Sequence, residues 1–244
     1  MTLETQKDVV VIGAGFRGIA TVAALRRYGV SNTVLLEAGD NYGEVWNTNY
    51  DRIQLHTPWH DLPDDGGLSA EYPMFKSRLE LLDYIKRYAE RHTLAEMTRF
   101  NTRVTSIDRD STHPDAPWRV STANSEFNTK FVVVATGYCR VPSMPQIDGA
   151  YKFEDRLVHS KHYRNATPYK GQHVLVVGSG NSACEIATDL IENGAAKVSQ
   201  LVFGPRYVIP IERFSNFMCE ARDQGLAGPT GVRAIHSITP GSAA

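Results

Sequence analysis

The stretch DVVVIGAGFRG, residues 8–18, decides the fold that the sequence predicts. Residues 8–12 are a β-branched run, which is typical of a strand buried on both faces of a parallel sheet. Of the glycines that follow, Gly13 permits a tight turn, Gly15 leaves room for a pyrophosphate, and Gly18 lets the next helix lie close to the strand. A phosphate would then meet the N-terminus of that helix.

The residues after these glycines complete a βαβ unit. The segment FRGIATVAALRRYG predicts a helix whose apolar side carries Ile19, Val22, Ala23 and Leu25. The next strand, TVLLE, ends in Glu37, at the position of the acidic residue that accepts hydrogen bonds from ribose hydroxyls in such units. Because Glu37 would repel a 2′-phosphate, NAD or FAD fits this site better than NADP.

A loop rich in aromatic residues follows at 41–63, where a plain dehydrogenase would continue with further βαβ units. Loops of this length in compact domains usually bind a ligand, and a solvent-exposed excursion is the alternative interpretation. His56 and His60 have the spacing of a zinc-binding helix, but Pro58 interrupts the helix and the central Glu is missing. We therefore expect no metal site in this loop.

A helix and several short strands are predicted after the loop. The segment FKSRLELLDYIKRYAERH begins with a capping box formed by Ser77 and Glu80. Its predicted core positions are Leu79, Leu82 and Ile85. Short alternating strands follow, and the last is a buried strand at residues 131–135 that runs into Thr136 and Gly137.

Composition excludes several classes of protein. The 244 residues are 42% hydrophobic and 22% charged with a formal net charge of -1, which indicates a globular protein without the basic surplus of a nucleic-acid binder. Apolar runs are strand-sized and the polar start shows no leader peptide, so we expect no membrane span and a cytoplasmic location. Cys139, Cys184 and Cys219 are too widely spaced for a disulfide scaffold or a zinc site.

A second glycine-rich fingerprint, HVLVVGSGNSACEIATDLIENG, lies at residues 173–194. It repeats the order of strand, Gly178, Gly180 and helix, with Ala183 in the tolerated third position, and so predicts a second phosphate site. The next strand ends at Phe203 instead of an acid, and Arg206 lies close enough to favour a 2′-phosphate. This favours NADP, with a solvated loop charge as the alternative interpretation of Arg206.

With these pieces in order, the chain resembles class B flavin-dependent monooxygenases, especially the flavin-containing monooxygenase (YUCCA-like) family. The matching segments are GAGFRG with Glu37, the loop through YDRIQLH, ATGYCRVPSMPQIDG, FEDRLVHSKHY and GSGNSA. In the family motif F-x-G-x-x-x-H-x-x-x-[FY], Phe153, His159 and Tyr163 match, whereas Asp155 takes the place of the glycine.

The resemblance implies an α/β fold with two Rossmann-like dinucleotide-binding domains, an FAD domain with an inserted NADPH domain, the second incomplete. The implied division is an FAD-binding domain at 1–147, a partial NADP-binding domain at 148–214 and a divergent tail at 215–244. It places His56 near flavin C4a as the catalytic residue. The implied cofactor-binding residues are Gly13, Gly15, Phe16, Gly18, Glu37, Trp46, Gln54, His56, Val104, Ala135, Thr136, Gly137, Gly178, Gly180, Asn181, Ser182 and Arg206.

The activity implied by the resemblance is an FAD- and NADPH-dependent monooxygenase. It would use O₂ to oxygenate a small organic substrate at N, S, C or a carbonyl through a C4a-(hydro)peroxyflavin. Family members are longer, and the sequence from about residue 215 no longer resembles them. The alternative is therefore a truncated, catalytically inactive flavin- or nucleotide-binding protein that needs a partner. We expect uncovered sheet edges to cause self-association or binding of a completing partner, with a mobile tail.

Overall fold

A computed structural model describes residues 2–56, 58, 62, 67–109, 115–204 and 213, with side chains from residue 6 onward. The chain divides into two compact units, Met1–Leu201 and Val202–Ala244. All elements named below belong to the first unit. The predicted tail at 215–244 lies outside the described residues.

The larger sheet has six strands in the order β3-β2-β1-β6-β5-β4. Their bounds are Thr2–Ile12 (β1), Thr33–Leu36 (β2), Thr98–Arg99 (β3), Val104–Arg109 (β4), Trp118–Thr122 (β5) and Ser125–Val134 (β6). β1 pairs in parallel with both β2 and β6, and β2 pairs in parallel with β3. β4, β5 and β6 pair antiparallel, so a parallel centre continues into an antiparallel meander.

Helices cover one face of this sheet. They are α1 (Phe16–Arg27), the short α2 (Glu44–Asn47) and α3 (Arg78–Arg91). As predicted, Val9–Ile12 of β1 is buried, and α1 buries Ile19, Val22 and Ala23 in the same core as Val9 and Val11. The segment at 41–63, predicted as a loop, contains one helical turn, α2, which packs near α3.

Helix α3 confirms one prediction and corrects another. Ser77 accepts the Glu80 N–H and the Glu80 side chain accepts the Ser77 N–H, which is the predicted capping box. The prediction that Leu79 packs in the core was wrong, because its side chain is 65% exposed. At 3.6 residues per turn, the face that carries Leu81 and Ile85 lies on the far side of the helix from Leu79.

The prediction of a fully buried strand at 131–135 was also wrong. Phe131 is 64% exposed and Val134 is 62% exposed, whereas Val132 and Val133 are partly buried. A parallel strand is buried on both faces only where a layer covers each face. Within the described residues, no layer covers these two side chains.

A second parallel sheet consists of β7 (His173–Val177) and β8 (Lys197–Leu201), joined by helix α4 (Asn181–Glu192). Val174, Val176 and Val198 pack on one face of it against Ile186 and Leu190 of α4. This βαβ unit confirms the second predicted fingerprint as a structural element, and the chain is α/β with two Rossmann-like units. No helix in the described part of the chain is long and apolar enough to span a bilayer.

Candidate functional site

The first glycine turn lies where β1 and β6 end, and two of its glycines are required by the protein itself. Gly13 has φ +103°, and a Cβ there would lie 2.7 Å from the Ala135 carbonyl oxygen. A Cβ on Gly18 would lie 1.8 Å from the Gly13 carbonyl oxygen. Ala135 donates its N–H to the Ile12 carbonyl at 2.8 Å, so the predicted residues Ala135 and Thr136 directly border this turn.

Gly15 differs, because a Cβ there would meet no protein atom within 4 Å. It is the N-cap of α1, so no side chain satisfies the N–H groups of the first helical turn. Phe16 packs its ring 6.0 Å from that of Tyr84, which anchors the turn in the core. Open space in front of unpaired helix N–H groups fits a pyrophosphate, and we call Gly13, Gly15, Gly18 and this helix end the first cradle.

Glu37 is fixed beside the first cradle. Its Oε2 accepts the Ala14 N–H at 2.7 Å and its Oε1 accepts the Gly39 N–H at 2.8 Å. The carboxylate retains lone pairs for the ribose hydroxyls of a nucleotide. Thr102 donates its N–H to the Glu37 carbonyl at 2.7 Å, which brings the start of β4, with Val104, to this end of the sheet. The sequence pattern identified Glu37 but not the two backbone donors that orient it.

Residues 53–56 are held by backbone pairing with the residues before α3. The Leu55 N–H donates to the Lys76 carbonyl at 2.7 Å, and the Arg78 N–H donates to the Ile53 carbonyl at 3.1 Å. The Gln54 amide donates to the Phe75 carbonyl at 3.0 Å, so its side chain supports this pairing. Trp46, on α2, is partly buried against the same core as α1.

His56 contacts the second Rossmann-like unit. Its Nε2 lies 2.8 Å from Oε1 of Glu185 on α4. The hydroxyl of Tyr50, which is 3% exposed, donates to Oε2 of the same carboxylate. The Glu185 hydrogen bond raises the pKa of His56 above its usual value, with burial opposing it. Sequence reasoning missed Glu185, because no local pattern links it to a histidine so far away along the chain.

Burial is the main influence on the acidity of the Tyr50 side chain. It raises the pKa of the Tyr50 hydroxyl, and the hydrogen bond to Glu185 raises it further, while the Ser182 hydroxyl has an opposing effect. Tyr50 therefore stays protonated and acts as a donor. Ser182, a predicted cofactor-binding residue, thus lies close to this cluster.

The second glycine turn repeats the construction of the first. Gly178 has φ +124°, donates its N–H to the Leu201 carbonyl at 2.9 Å, and accepts the Gln200 amide at 2.9 Å. Gly180 is the N-cap of α4, and a Cβ there would meet no atom within 4 Å. We call Gly178, Gly180 and the first turn of α4, with Asn181 and Ser182, the second cradle, which also fits a phosphate. Arg206 lies outside the described residues.

The family motif at 153–163 supports α4 from the side. The Tyr163 hydroxyl donates to the buried Asp189, and its ring stacks on Tyr169 at 5.6 Å. His159 accepts the Lys161 N–H at 3.0 Å through Nδ1. Asp155, at the glycine position of the motif, is exposed. The motif therefore fastens the connecting segment to the helix of the second cradle.

The structure brings most of the predicted site residues into two groups. Gly13, Gly15, Gly18, Glu37, Ala135 and Thr136 surround the first cradle, and Gly137 follows them with φ +70°. Gly178, Gly180, Asn181 and Ser182 form the second. The described residues hold no cluster of three His, Cys, Asp or Glu side chains suited to a metal ion, and His60 lies outside them.

Comparison with known proteins assigns the family. Residues 10–204 match a family described as pyridine nucleotide-disulphide oxidoreductase. The chain is 37% identical over 197 residues to the Arabidopsis thaliana protein named "Probable indole-3-pyruvate monooxygenase YUCCA1", covering 77% of this chain and 45% of that protein. The chain thus spans about half the length of the curated relatives it matches.

Solved structures agree. A flavin-containing monooxygenase from Stenotrophomonas maltophilia matches the fold with a TM-score of 0.74 at 22% identity, over 92% of this chain and 69% of that one. OTEMO, solved in complex with FAD and NADP, matches with a TM-score of 0.70 at 25% identity, over 92% and 46%. The predicted resemblance to flavin monooxygenases is confirmed, and the chain belongs to the pyridine nucleotide-disulphide oxidoreductase family.

Proposed function

We propose that this chain provides the two nucleotide sites of an FAD- and NADPH-dependent monooxygenase, which uses O₂ to oxygenate a small organic substrate at N, S, C or a carbonyl. The observation that carries the proposal is the contact between His56 and Glu185, which joins the segment beside the first cradle to the helix of the second. The similarity to a named indole-3-pyruvate monooxygenase and to OTEMO, solved with FAD and NADP, supports it.

In this proposal the first cradle holds FAD. Gly15 and the N-terminus of α1 receive the pyrophosphate, and Glu37 accepts the ribose hydroxyls. The segments that carry Trp46, Gln54 and His56, together with the turn at 135–137, would contact the flavin. FAD supplies the redox chemistry with NADPH and O₂. The protein orients the two nucleotides, excludes water and holds a proton at His56.

The second cradle holds NADPH. The proposed preference over NADH rests on the absence of an acid at Phe203, where such units otherwise carry one to bind the ribose, and on the sequence position of Arg206. We assign residues 1–147 to the FAD-binding part, 148–214 to the partial NADP-binding part and 215–244 to the tail. The separate positions of the two sheets, at residues 2–134 and 173–201, support a boundary between the first two parts.

The absorbance spectrum of the purified protein tests this proposal directly. We expect bound yellow flavin that bleaches when NADPH is added without oxygen, and bleaches more slowly with NADH. Release of the flavin by heat and its chromatography should identify FAD. Colourless protein that takes up no added FAD would contradict the proposal, and faster bleaching by NADH would contradict the nucleotide preference.

The exposure of Phe131 and Val134 favours a second candidate function. In it, the chain is a catalytically inactive flavin- or nucleotide-binding protein that self-associates or binds a completing partner through these side chains, which lie on opposite faces of β6. Bound flavin that NADPH does not bleach, in a protein that elutes as an oligomer, would support this candidate over the enzyme.

A further inference from the structure

We propose that Glu185 is a positioning residue that determines which ring nitrogen of His56 carries the proton, and so leaves Nδ1 as an acceptor, which the proposed function would direct to the nucleotide of the first cradle. The assignment of that nucleotide as flavin rests on the proposed function. The proton position does not, because it follows from the contacts of the protein alone.

The Glu185 carboxylate is held at both oxygens. Its Oε1 lies 2.8 Å from Nε2 of His56, and its Oε2 accepts the Tyr50 hydroxyl. The side chain of Glu185 is 16% exposed, whereas that of His56 is 43% exposed. A carboxylate with two partners on a largely covered side chain has little freedom to turn away from the imidazole.

Tyr50 makes this arrangement rigid. It packs edge-on to Tyr163, with ring centroids 6.3 Å apart, and belongs to the same core cluster as Ile186 and Leu190 of α4. Its hydroxyl remains protonated because burial raises its pKa, so it donates to Glu185 at all ordinary pH values. The carboxylate is therefore anchored by the core and directed toward His56.

The proton position follows from the chemistry of the two groups. A neutral imidazole has one N–H donor and one acceptor nitrogen, whereas an ionised carboxylate only accepts. Nε2 of His56 must therefore carry the proton that Glu185 accepts, and Nδ1 is left as an acceptor. The tautomer is set from α4, the helix that also forms the second cradle.

Other charged groups near this segment are engaged elsewhere. Lys76 directs its ammonium to the Ser69 carbonyl at 3.1 Å, and Arg78 pairs with Asp51 at 3.4 Å. Arg52 pairs with Glu192. Within the described residues, Glu185 is the charged group that raises the pKa of His56, and burial of the imidazole lowers it.

The test is nitrogen NMR of the full chain with ¹⁵N-labelled histidine and no added flavin, with the His56 signals assigned by their loss in His56→Gln. We expect the wild-type chain to show the Nε2–H tautomer at high pH. In Glu185→Gln, which removes the charge that favours the protonated imidazole, the His56 titration midpoint should fall.

Glu192→Gln is the matched control, since Glu192 lies on the same helix and pairs with Arg52 of the same segment. It should leave the tautomer and the midpoint of His56 unchanged. An Nδ1–H tautomer in the wild-type chain would overturn the proposal even if Glu185→Gln failed to fold, and so would an unchanged midpoint in folded Glu185→Gln.

The NMR measurement also tests the role of Glu185 independently of flavin binding. If the protein binds no flavin, the NMR result still decides the role of Glu185. If flavin is bound, Glu185→Gln should shift the pH dependence of NADPH-driven flavin reduction in the same direction as the His56 midpoint.

Discussion

The glycines of the first cradle differ in what requires them. Gly13 and Gly18 are required by close backbone contacts, whereas the space in front of Gly15 contains no protein atom. A side chain at Gly15 would therefore affect a ligand without disturbing the fold. Gly180 of the second cradle has the same property, so the two positions form a natural pair.

Gly15→Val should abolish flavin retention while the chain stays folded, because the new side chain occupies the space proposed for the pyrophosphate. Gly180→Val should retain flavin and weaken NADPH binding instead. Flavin occupancy by absorbance and NADPH affinity by titration measure the two effects. Wild-type flavin occupancy in folded Gly15→Val would show that the first cradle is assigned wrongly.

Gly18→Ala should destabilise the protein by about 3 kcal/mol or more, because overpacking at a backbone contact forces the helix away from the strand. The added Cβ would lie 1.8 Å from the Gly13 carbonyl oxygen. Urea unfolding of the variant measures the cost. Gly15→Ala is the control and should cost only about 1 kcal/mol or less, the cost of Ala at an N-cap, so equal stability of both variants would contradict the close approach.

How far sequence identifies a residue depends on how local its partners are. The glycines and Glu37 follow a fixed order within one βαβ unit, so their spacing was sufficient to predict them. Glu185 lies on α4 in a position that looks like an ordinary exposed helix residue. Only the fold brings it to His56 and Tyr50, and no spacing rule covers that encounter.

At the scale of the elements, hydrogen bonds and ion pairs hold the segment 50–56 from several sides. It pairs with residues 76–78, and the Asp51 N–H donates to the Arg164 carbonyl at 2.8 Å. Asp51 also pairs with Arg78 and Arg164. Within the loop that the sequence predicts at 41–63, residues 50–56 are thus a fixed connection between the start of α3 and the motif before β7.

Ser77→Ala should lower the free energy of unfolding by about 1 kcal/mol at neutral pH, the usual cost of losing an N-cap. Ser77 accepts the Glu80 N–H, and its hydroxyl donates to the Glu80 carboxylate at 2.7 Å. Ser77→Thr, which retains the hydroxyl, is the matched control. Urea unfolding of the three proteins gives the comparison, and equal stability of the alanine and threonine variants would contradict the capping box.

The stability lost in Ser77→Ala should be smaller in acid than at neutral pH. The hydrogen bonds from the Ser77 side chain and backbone lower the pKa of Glu80 below its ordinary value. A depressed carboxyl pKa stabilises the folded state above the pKa of the unfolded chain, and this contribution is lost as pH falls through the folded pKa. The difference between wild-type and Ser77→Ala should therefore narrow in acid. If the two free energies of unfolding differed by the same amount at neutral and at acid pH, a hydrogen bond from Ser77 to the charged Glu80 carboxylate would be excluded.

The elements also show where sequence patterns stop being informative. The capping box needs only residues from one helical turn, so the sequence predicts it. Which face of α3 is buried depends on the sheet beneath it, and the leucine spacing alone wrongly included Leu79. Likewise, the apolar run at 131–134 looks like a buried strand, but burial depends on covering layers from elsewhere in the fold.

At the scale of the whole molecule, two large apolar side chains of β6 are mostly exposed to solvent. Phe131 and Val134 lie on the long strand that pairs with β1 at the centre of the sheet. Burying apolar area yields about 25 cal/mol per Å², so exposed side chains on a sheet favour association. Phe131 and Val134 lie on opposite faces of β6, and their exposure is the physical basis of the proposed self-association.

Phe131→Lys should therefore reduce self-association of the chain at micromolar concentration, as measured by light scattering. Leu79→Lys is the control, because Leu79 is similarly exposed, at 65% against 64%, but lies on α3. Only the β6 variant should shift the mass toward the monomer. A wild-type chain that is monomeric throughout would contradict the association, and an equal effect of both variants would contradict the role of Phe131 in it.

The close contact between Gly13 and Ala135 determines how much of the chain must be synthesised before the first cradle can fold. One wall of the first cradle belongs to the earliest strand and the other to the turn after β6, and the whole meander lies between them in sequence. Non-local parallel pairing of this kind forms late. We therefore expect the first cradle to stay unformed in the nascent chain until β6 has left the ribosomal exit tunnel. Proteolysis of stalled nascent chains should show protection of residues 8–36 beginning only at that length.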